Sequence, residues 1–308
     1  MRICFVANGT KSGLDLNGGS RTIVKSAETL IQLGHEVSIC ATHNKYTWGK
    51  VPNLVRSVTE NTDALVAVSC KDVKNVLKHP CKRKHWWMRG IETWAMPEEK
   101  LLERASRISV IVNAGHLKEW LLKRGVKSQL CFAGLDLSLW ETPSSRQKNN
   151  RIRIGCLYHS RHLTKRWSDF AKLAEALGRT NYEYVGFGVG KPNDVSWLAD
   201  YKDQPSVDRL IHLYQSCDIW FAPTTSEGFH NVCAEASLCG CLALCNTSRH
   251  SGMADYADSS TAMMYGTIDW AAELCKNPDF DLVPRMQEKL HAIGDRKQNM
   301  ERLIQLCQ

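Results

Sequence analysis

The chain has 308 residues, 43% hydrophobic and 23% charged, a globular composition that excludes a wholly disordered or fibrous protein. Its length suits two domains of ordinary size, and no apolar run reaches the roughly 18 residues that a membrane-spanning helix requires. The net charge of +8 is carried by the first half: residues 1–150 hold 23 Lys and Arg against 13 Asp and Glu, a balance of +10, while residues 151–308 hold 17 against 19, a balance of −2. The first half is therefore expected to meet something anionic.

The chain opens MRICFVANG, with one basic residue, a short apolar core and no small-residue cleavage site, so it reads as a first β-strand rather than a signal peptide. A loop rich in Gly and Asn ends Asn17-Gly18-Gly19-Ser20, with Ser20 as the expected N-cap of a helix running to about Leu33. Gly34 closes that helix and VSICAT (37–42) is the next strand. Strand, Gly loop, helix, Gly, strand is a βαβ unit and predicts a parallel sheet covered by helices. ALVAVS (64–69), ISVIVN (108–113) and KSQLCFAGLD (127–136) continue the strands, and between the first two lies a densely basic stretch from Lys71 to Arg89.

Residues 141–153 are polar and read as a linker, after which the alternation starts again. The expected elements are a strand in IRIGCLYHS, a helix over 166–178, a strand in YEYVGFGVG, an amphipathic helix in VDRLIHLYQSC, a strand in DIWFAPT, a helix over 231–239, a strand in CLALCNT, and helical periodicity over 285–306. This predicts an α/β protein of two doubly wound, Rossmann-like domains facing a cleft. The expected bounds are 1–145 and 151–285, with a C-terminal helix over 286–308 that crosses back to the first domain. Ligands of such sheets bind at the carboxyl ends of the strands. The 13 cysteines contain no Cys-x-x-Cys pair, so zinc spacing is absent and reduced core thiols of a cytosolic protein are expected.

The segment CDIWFAPTTSEGFHNVCAEASLCGCLAL (217–244) carries the most chemistry. A strand delivers a short loop with Glu227, Gly228, Phe229, His230 and Asn231, and a helix follows with Glu235 one turn inside. A helix N-terminus offers unsatisfied N–H groups to a phosphate. Gly228 permits close backbone approach, and Glu235 is placed to accept hydrogen bonds from a ribose diol.

The Glu227-x7-Glu235 spacing, inside D-I-x-x-x-P-x-x-x-E-G-F-x-x-V-x-x-E-A-x-x-x-G, resembles retaining glycosyltransferases of the GT-B fold, family 4. Asn17-Gly18-Gly19-Ser20-Arg21, Leu33-Gly34-His35-Glu36-Val37, Gly134-Leu135-Asp136 and Val185-Gly186-Phe187-Gly188 are similar to further stretches of that family. The resemblance implies a nucleotide-sugar donor of the UDP-hexose kind held by the second domain, with Glu235 on the ribose and Glu227 on the transferred sugar. Backbone N–H groups of Gly228, Phe229, His230, Asn231 and Val232 would help. Arg161 and Lys165 would form a basic pair on the diphosphate, with Arg166 competing for the place of Lys165, and Gly19 would lie over the diphosphate from the first domain. Such a cationic clamp stabilises the leaving group without a metal, and neither metal nor cofactor is expected. Retention by front-face attack, with the leaving phosphate taking the acceptor proton, is also implied by the family. His230 stands where the family often has Gly or Pro, so it either contacts the sugar or fills the loop.

The resemblance assigns acceptor binding to the first domain, where Lys82, Arg83, Lys84, Trp86, Glu92 and His116 are the acceptor candidates and Arg89 a catalytic one. Basic groups interleaved with Trp suit nucleic acid, by phosphate contacts and base stacking, or an anionic membrane leaflet. The bland alternative is a solvated helix face with Trp86 and Trp87 in a strand core, and a surface ion pair for Arg89 and Glu92. Two acceptors follow: a hydroxymethylated DNA base, as in viral genome modification, or a lipid-linked or surface glycan. The expected place is the cytoplasm, either free or peripheral at the inner membrane face. Readings from other classes are a catalytically silent GT-B module binding a sugar nucleotide or nucleic acid, and a sugar-nucleotide epimerase.

Overall fold

The structure is a computed structural model and describes residues 1–143, 149–159, 163–247 and 251–308. The chain divides into two compact units, Met1–Leu135 with Gly294–Gln308, and Asp136–Ile293.

The first unit is built on a seven-stranded sheet among the described residues, with every paired strand parallel. Its strands are β1 (Arg2–Ala7), β2 (Glu36–Ala41), β3 (Leu54–Val55), β4 (Ala64–Ala67), β5 (Arg83–Met88), β6 (Ser109–Val112) and β7 (Ser128–Leu130). Helices α1 (Gly18–Gln32), α2 (Val73–Lys78), α3 (Glu98–Ala105) and α4 (Gly115–Leu122) make the crossovers. The strand order is β3-β2-β1-β4-β5-β6-β7, so chain order reverses between β1 and β4. Side-chain alternation along β1 feeds two cores: Ile3, Phe5 and Ala7 pack with α1, and Cys4 and Val6 pack on the opposite face with residues of α2, α3 and α4.

Two expectations change here. Helix α1 starts three residues early, capped by Asn17, whose side chain accepts from Ser20 N at 2.8 Å. Ser20 Oγ instead accepts from Asp15 N at 2.9 Å. The basic stretch from Lys71 to Arg89 contains α2 and an interior strand, β5, whose Trp86 and Trp87 are fully buried. The acceptor reading of Trp86 fails and the alternative of Trp86 and Trp87 in a strand core holds, because β5 pairs on both sides, which puts its alternate side chains into both cores.

The second unit repeats the plan. Strands β8 (Ile152–His159), β9 (Tyr182–Val189), β10 (Asp200–Asp203), β11 (Ile219–Ala222), β12 (Leu242–Asn246) and β13 (Met263–Tyr265) form a parallel sheet in the order β10-β9-β8-β11-β12-β13. Helices α5 (Trp167–Leu177), α6 (Val207–Ser216), α7 (Asn231–Leu238), α8 (Ile268–Lys276) and α9 (Leu282–Ile293) cover it. The order reverses between β8 and β11. Phe170, Phe221 and Tyr265 stack through the core at centroid distances of 5.9 and 5.3 Å.

The helical tail is two helices, not one. Gly294 takes φ +91, a value that L side chains rarely adopt, and ends α9; Asp295 then caps α10 (Arg296–Cys307) through Gln298 N at 2.8 Å. Helix α9 belongs to the second unit, whereas α10 lies in the first unit's core through Met300, Leu303, Ile304 and Cys307. All 13 cysteines are free thiols, twelve of them buried.

Candidate functional site

In the second unit the reversal of strand order opens the carboxyl ends of β8 and β11 side by side, where doubly wound sheets take ligands. β8 leads to a 3₁₀ turn, Leu163–Lys165, and β11 leads to Pro223-Thr224-Thr225-Ser226-Glu227. The two meet: the Lys165 ammonium is paired with Glu227 Oε1. The same oxygen accepts from Thr224 Oγ1 at 3.0 Å and lies 3.9 Å from His230 Nε2. Burial pushes the Glu227 carboxyl up, but Lys165, His230 and Thr224 outweigh it and hold the group below the ordinary carboxylate range. Glu227 is thus a carboxylate on a largely covered loop, already matched to a cation.

Arg166 does not share that place. It takes a left-handed conformation (φ 51) at the start of α5 and its Nε pairs with Asp169 at 2.6 Å. Lys165, and not Arg166, stands beside Glu227. Arg161, the other expected member of the basic pair, lies outside the described residues.

The loop then turns into α7. His230 is left-handed (φ 63) immediately before Asn231, the helix's first residue, and its side chain is 4% exposed. It fills the loop rather than projecting from it. Phe229 is buried, packing on Tyr256 at 5.2 Å, so the side chain anchors the loop while its backbone lies along it. Gly228, Asn231 and Val232 are half-buried around the helix N-terminus. Glu235 is buried one turn in, and Tyr214 donates to its Oε2 at 3.5 Å.

Two supports escaped the sequence reading. Tyr256 donates its hydroxyl to the His230 carbonyl at 3.0 Å. Gly252 packs so closely under the loop that a Cβ would stand 1.8 Å from Gly228 O and 2.7 Å from Phe229 Cα. A β-bridge between Glu227 and Ser251 completes the seat. None of these residues carries a local signal, since each acts across about 25 positions of sequence.

In the first unit the reversal lies between β1 and β4. Arg89, just beyond β5, donates through Nη1 to Gly19 O at 2.5 Å and through Nη2 to Val68 O at 2.9 Å. Glu92 accepts from Ser69 Oγ at 2.9 Å and from Cys70 N at 2.5 Å. The two therefore brace the first turn of α1 and the loop after β4, which corrects the surface-ion-pair reading. Asp72, fully buried and also missed by the sequence reading, accepts from Gly9 N at 2.7 Å. Burial raises its carboxyl to about 6. It was hidden in a run interpreted by its positive charge.

The expected acceptor group does not stay together. Trp86 has no exposed surface, so it cannot stack on a base or lie in a leaflet. Lys82 and Arg83 stand at the amino end of β5, and Lys84 is turned to Leu77 O at 2.9 Å. Arg89 and Glu92 follow the carboxyl end of the same strand, about 20 Å away at 3.3 Å per residue. His116 is half-buried in the first turn of α4. What remains exposed near Glu92 is Trp94, with Lys71 Nζ 4.8 Å over its ring.

No family model matches the chain, and no curated protein matches it in sequence. Solved structures do match in fold. HepE of Anabaena, solved with UDP and glucose, superposes with a TM-score of 0.79 at 13% identity over 99% of this chain and 98% of that one. Sucrose-phosphate synthase of Thermosynechococcus elongatus gives 0.77 at 12% identity over 99% and 98%. The lipopolysaccharide outer core galactosyltransferase WaaB gives 0.72 at 13% identity over 99% of both chains. With two doubly wound parallel sheets in the orders described, the fold is GT-B. Among the described residues no cluster of three His, Cys, Asp or Glu side chains is arranged to hold a metal ion, and no helix is long and apolar enough to cross a membrane.

Proposed function

We propose that the protein is a glycosyltransferase that takes a hexose from a UDP-sugar with retention of configuration, in the manner of family 4. The observation that carries this reading is the convergence, at the carboxyl ends of β8 and β11, of the Lys165–Glu227 pair with the N-terminus of α7. An ammonium and the N–H groups of a helix N-terminus suit a diphosphate, and a carboxylate beside them suits sugar hydroxyls. Glu235 would take the ribose. HepE, with the same fold, was solved with UDP and with UDP-glucose, which supports the donor class.

In this mechanism Glu227 orients the sugar, while Lys165 and the α7 N–H groups stabilise charge building on the departing diphosphate. Arg161 would add to that charge. The acceptor hydroxyl gives its proton to the leaving phosphate, so no protein nucleophile, metal or cofactor is needed. Arg89 acts as a brace for the first turn of α1 rather than at the reacting atoms.

For the acceptor, the burial of Trp86 and Trp87 leaves Trp94 as the exposed tryptophan of that region, which weakens the stacking argument for a modified DNA base. A lipid-linked or surface glycan is the better reading, with the exposed basic groups of the first unit meeting an anionic leaflet at the inner membrane face. WaaB, a galactosyltransferase of lipopolysaccharide, shares the fold and supports it.

The test is UDP release from several UDP-sugars, each offered with glycan or lipid acceptors in anionic vesicles, with hydroxymethylated DNA and with plain DNA. Release only with lipid or glycan is expected, and release only with modified DNA would return the acceptor to nucleic acid. UDP-sugar binding without release anywhere would leave a silent module, and interconversion of the donor sugar an epimerase. Acceptor affinity should fall steeply with salt.

A further inference from the structure

We propose that Cys233 and Cys245 are an oxidation site: a two-electron oxidant joins them in a disulfide that displaces the first turn of α7 and switches off nucleotide binding there. The two Sγ atoms lie 3.7 Å apart and both residues are fully buried. Cys233 is the third residue of α7, and Cys245 lies near the carboxyl end of β12.

A disulfide needs its sulfurs at about 2.0 Å, so the pair must close by roughly 1.7 Å. The strand cannot supply that movement, because β12 is paired to β11 on one side and β13 on the other. Rotation of the two side chains supplies part of the closure, and the backbone share of it falls on the helix turn. Cys233 sits against His230 and Tyr256, and Tyr256 holds the His230 carbonyl at 3.0 Å. Dragging Cys233 therefore disturbs the left-handed turn that aims the helix N–H groups, and Glu235 lies only two residues further on. Displacements near 1 Å are enough to cost about 100-fold in a positioned site.

The pair is chemically asymmetric as well. The hydrogen bond from Cys245 draws the Cys233 thiol below its ordinary range, whereas that bond and burial hold Cys245 protonated, well above its own. With hydrogen peroxide as oxidant the step balances. The Cys233 sulfur attacks the O–O bond and becomes a sulfenic acid as one water leaves. Cys245 then displaces the second water to form the S–S bond. Since both thiols are covered, the oxidant gains access only when the Glu227–His230 loop opens. Nucleotide held on that loop slows oxidation, and the disulfide in turn weakens nucleotide binding.

This inference rests on the nucleotide reading of the site. The experiment treats the full chain with hydrogen peroxide, maps disulfides by mass spectrometry, and measures UDP affinity before and after, with Cys245→Ala alongside. Expected are a Cys233–Cys245 bond, a UDP Kd at least about tenfold weaker, recovery with dithiothreitol, and slower oxidation under saturating UDP. Cys245→Ala should keep its UDP affinity throughout, and Cys245→Val serves if the smaller residue impairs folding. Absence of that bond, unchanged UDP affinity after it forms, or equal loss in Cys245→Ala each overturns the proposal while leaving the donor site standing. Failure of the reduced wild type to bind UDP overturns both.

Discussion

Glu227 and Lys165 form a largely covered pair in which each ion depends on the other. Replacing Lys165 by Met leaves the Glu227 carboxylate to bear its burial with only His230 and Thr224 beside it. Its proton affinity must rise, because burial disfavours the charged form and the main opposing charge is gone. The acid limb of the pH–rate profile should therefore move to higher pH, with turnover falling about 100-fold through loss of diphosphate stabilisation. An unmoved limb would show that Glu227 is not the group titrating. Glu235→Ala should raise the UDP Kd, whereas Glu227→Ala should cost turnover more than nucleotide affinity; titration calorimetry and steady-state rates separate the two. Asp72 obeys the opposite sign. Its carboxyl sits at about 6 in the fold against 3.8 for the free group. The folded chain then holds the proton more tightly, so stability falls as pH rises from about 4 to about 6 and the whole cost remains above that window. Asp72→Asn keeps an acceptor for Gly9 N and cannot ionise. Relative to wild type it should gain stability between pH 4 and pH 7.5, by up to about 3 kcal/mol. Urea melts at the two pH values read this, and a pH-independent difference would refute the buried-acid reading.

At the scale of elements, the short loop between β11 and α7 depends on what lies beneath it. Gly252 admits the Gly228 carbonyl where a Cβ would stand at 1.8 Å. Gly252→Ala must push the loop outward, an overpacking cost of about 1–3 kcal/mol, and UDP affinity should drop with it. Gly178→Ala is the control: it also sits in the second unit and is strained by its φ of +70, but a Cβ there meets nothing. It should lose stability and keep its UDP affinity. Equal losses of affinity in both variants would mean that the seat under the loop is not specific. The sequence pattern located α7, the loop and Glu235 because periodicity and an N-terminal signature are local. Gly252 and Tyr256 were illegible because the residues they support are about 25 positions away. Trp86 is misplaced as an acceptor residue for the same kind of reason: charges at the amino end of β5 dominate the window, while pairing on both sides decides its burial.

At the scale of the whole chain, strand–helix alternation was enough to specify two doubly wound units, since a parallel strand pair leaves few ways to cross over. The tail was harder, because helical period alone does not reveal where one helix stops. Gly294 with Asp295 is the punctuation, and it divides two helices that belong to different units. Helix α10 completes the first unit's core with Met300, Leu303, Ile304 and Cys307, which lie in one cluster with Ile3, Phe5 and Ile23. Deleting residues 295–308 would expose that face of the sheet and of α1, and each large apolar side chain uncovered costs about 1.5–3 kcal/mol. Such a loss is comparable to the total stability of a domain. The damage should stay local, because the second unit ends at Ile293 and keeps its own core on α5 and α8. Hydrogen exchange on the truncated chain should therefore show β1, β2 and α1 exchanging far faster while β8, β11 and β12 keep their protection. Uniform loss of protection across both sheets would mean that the two units fold as a single cooperative body.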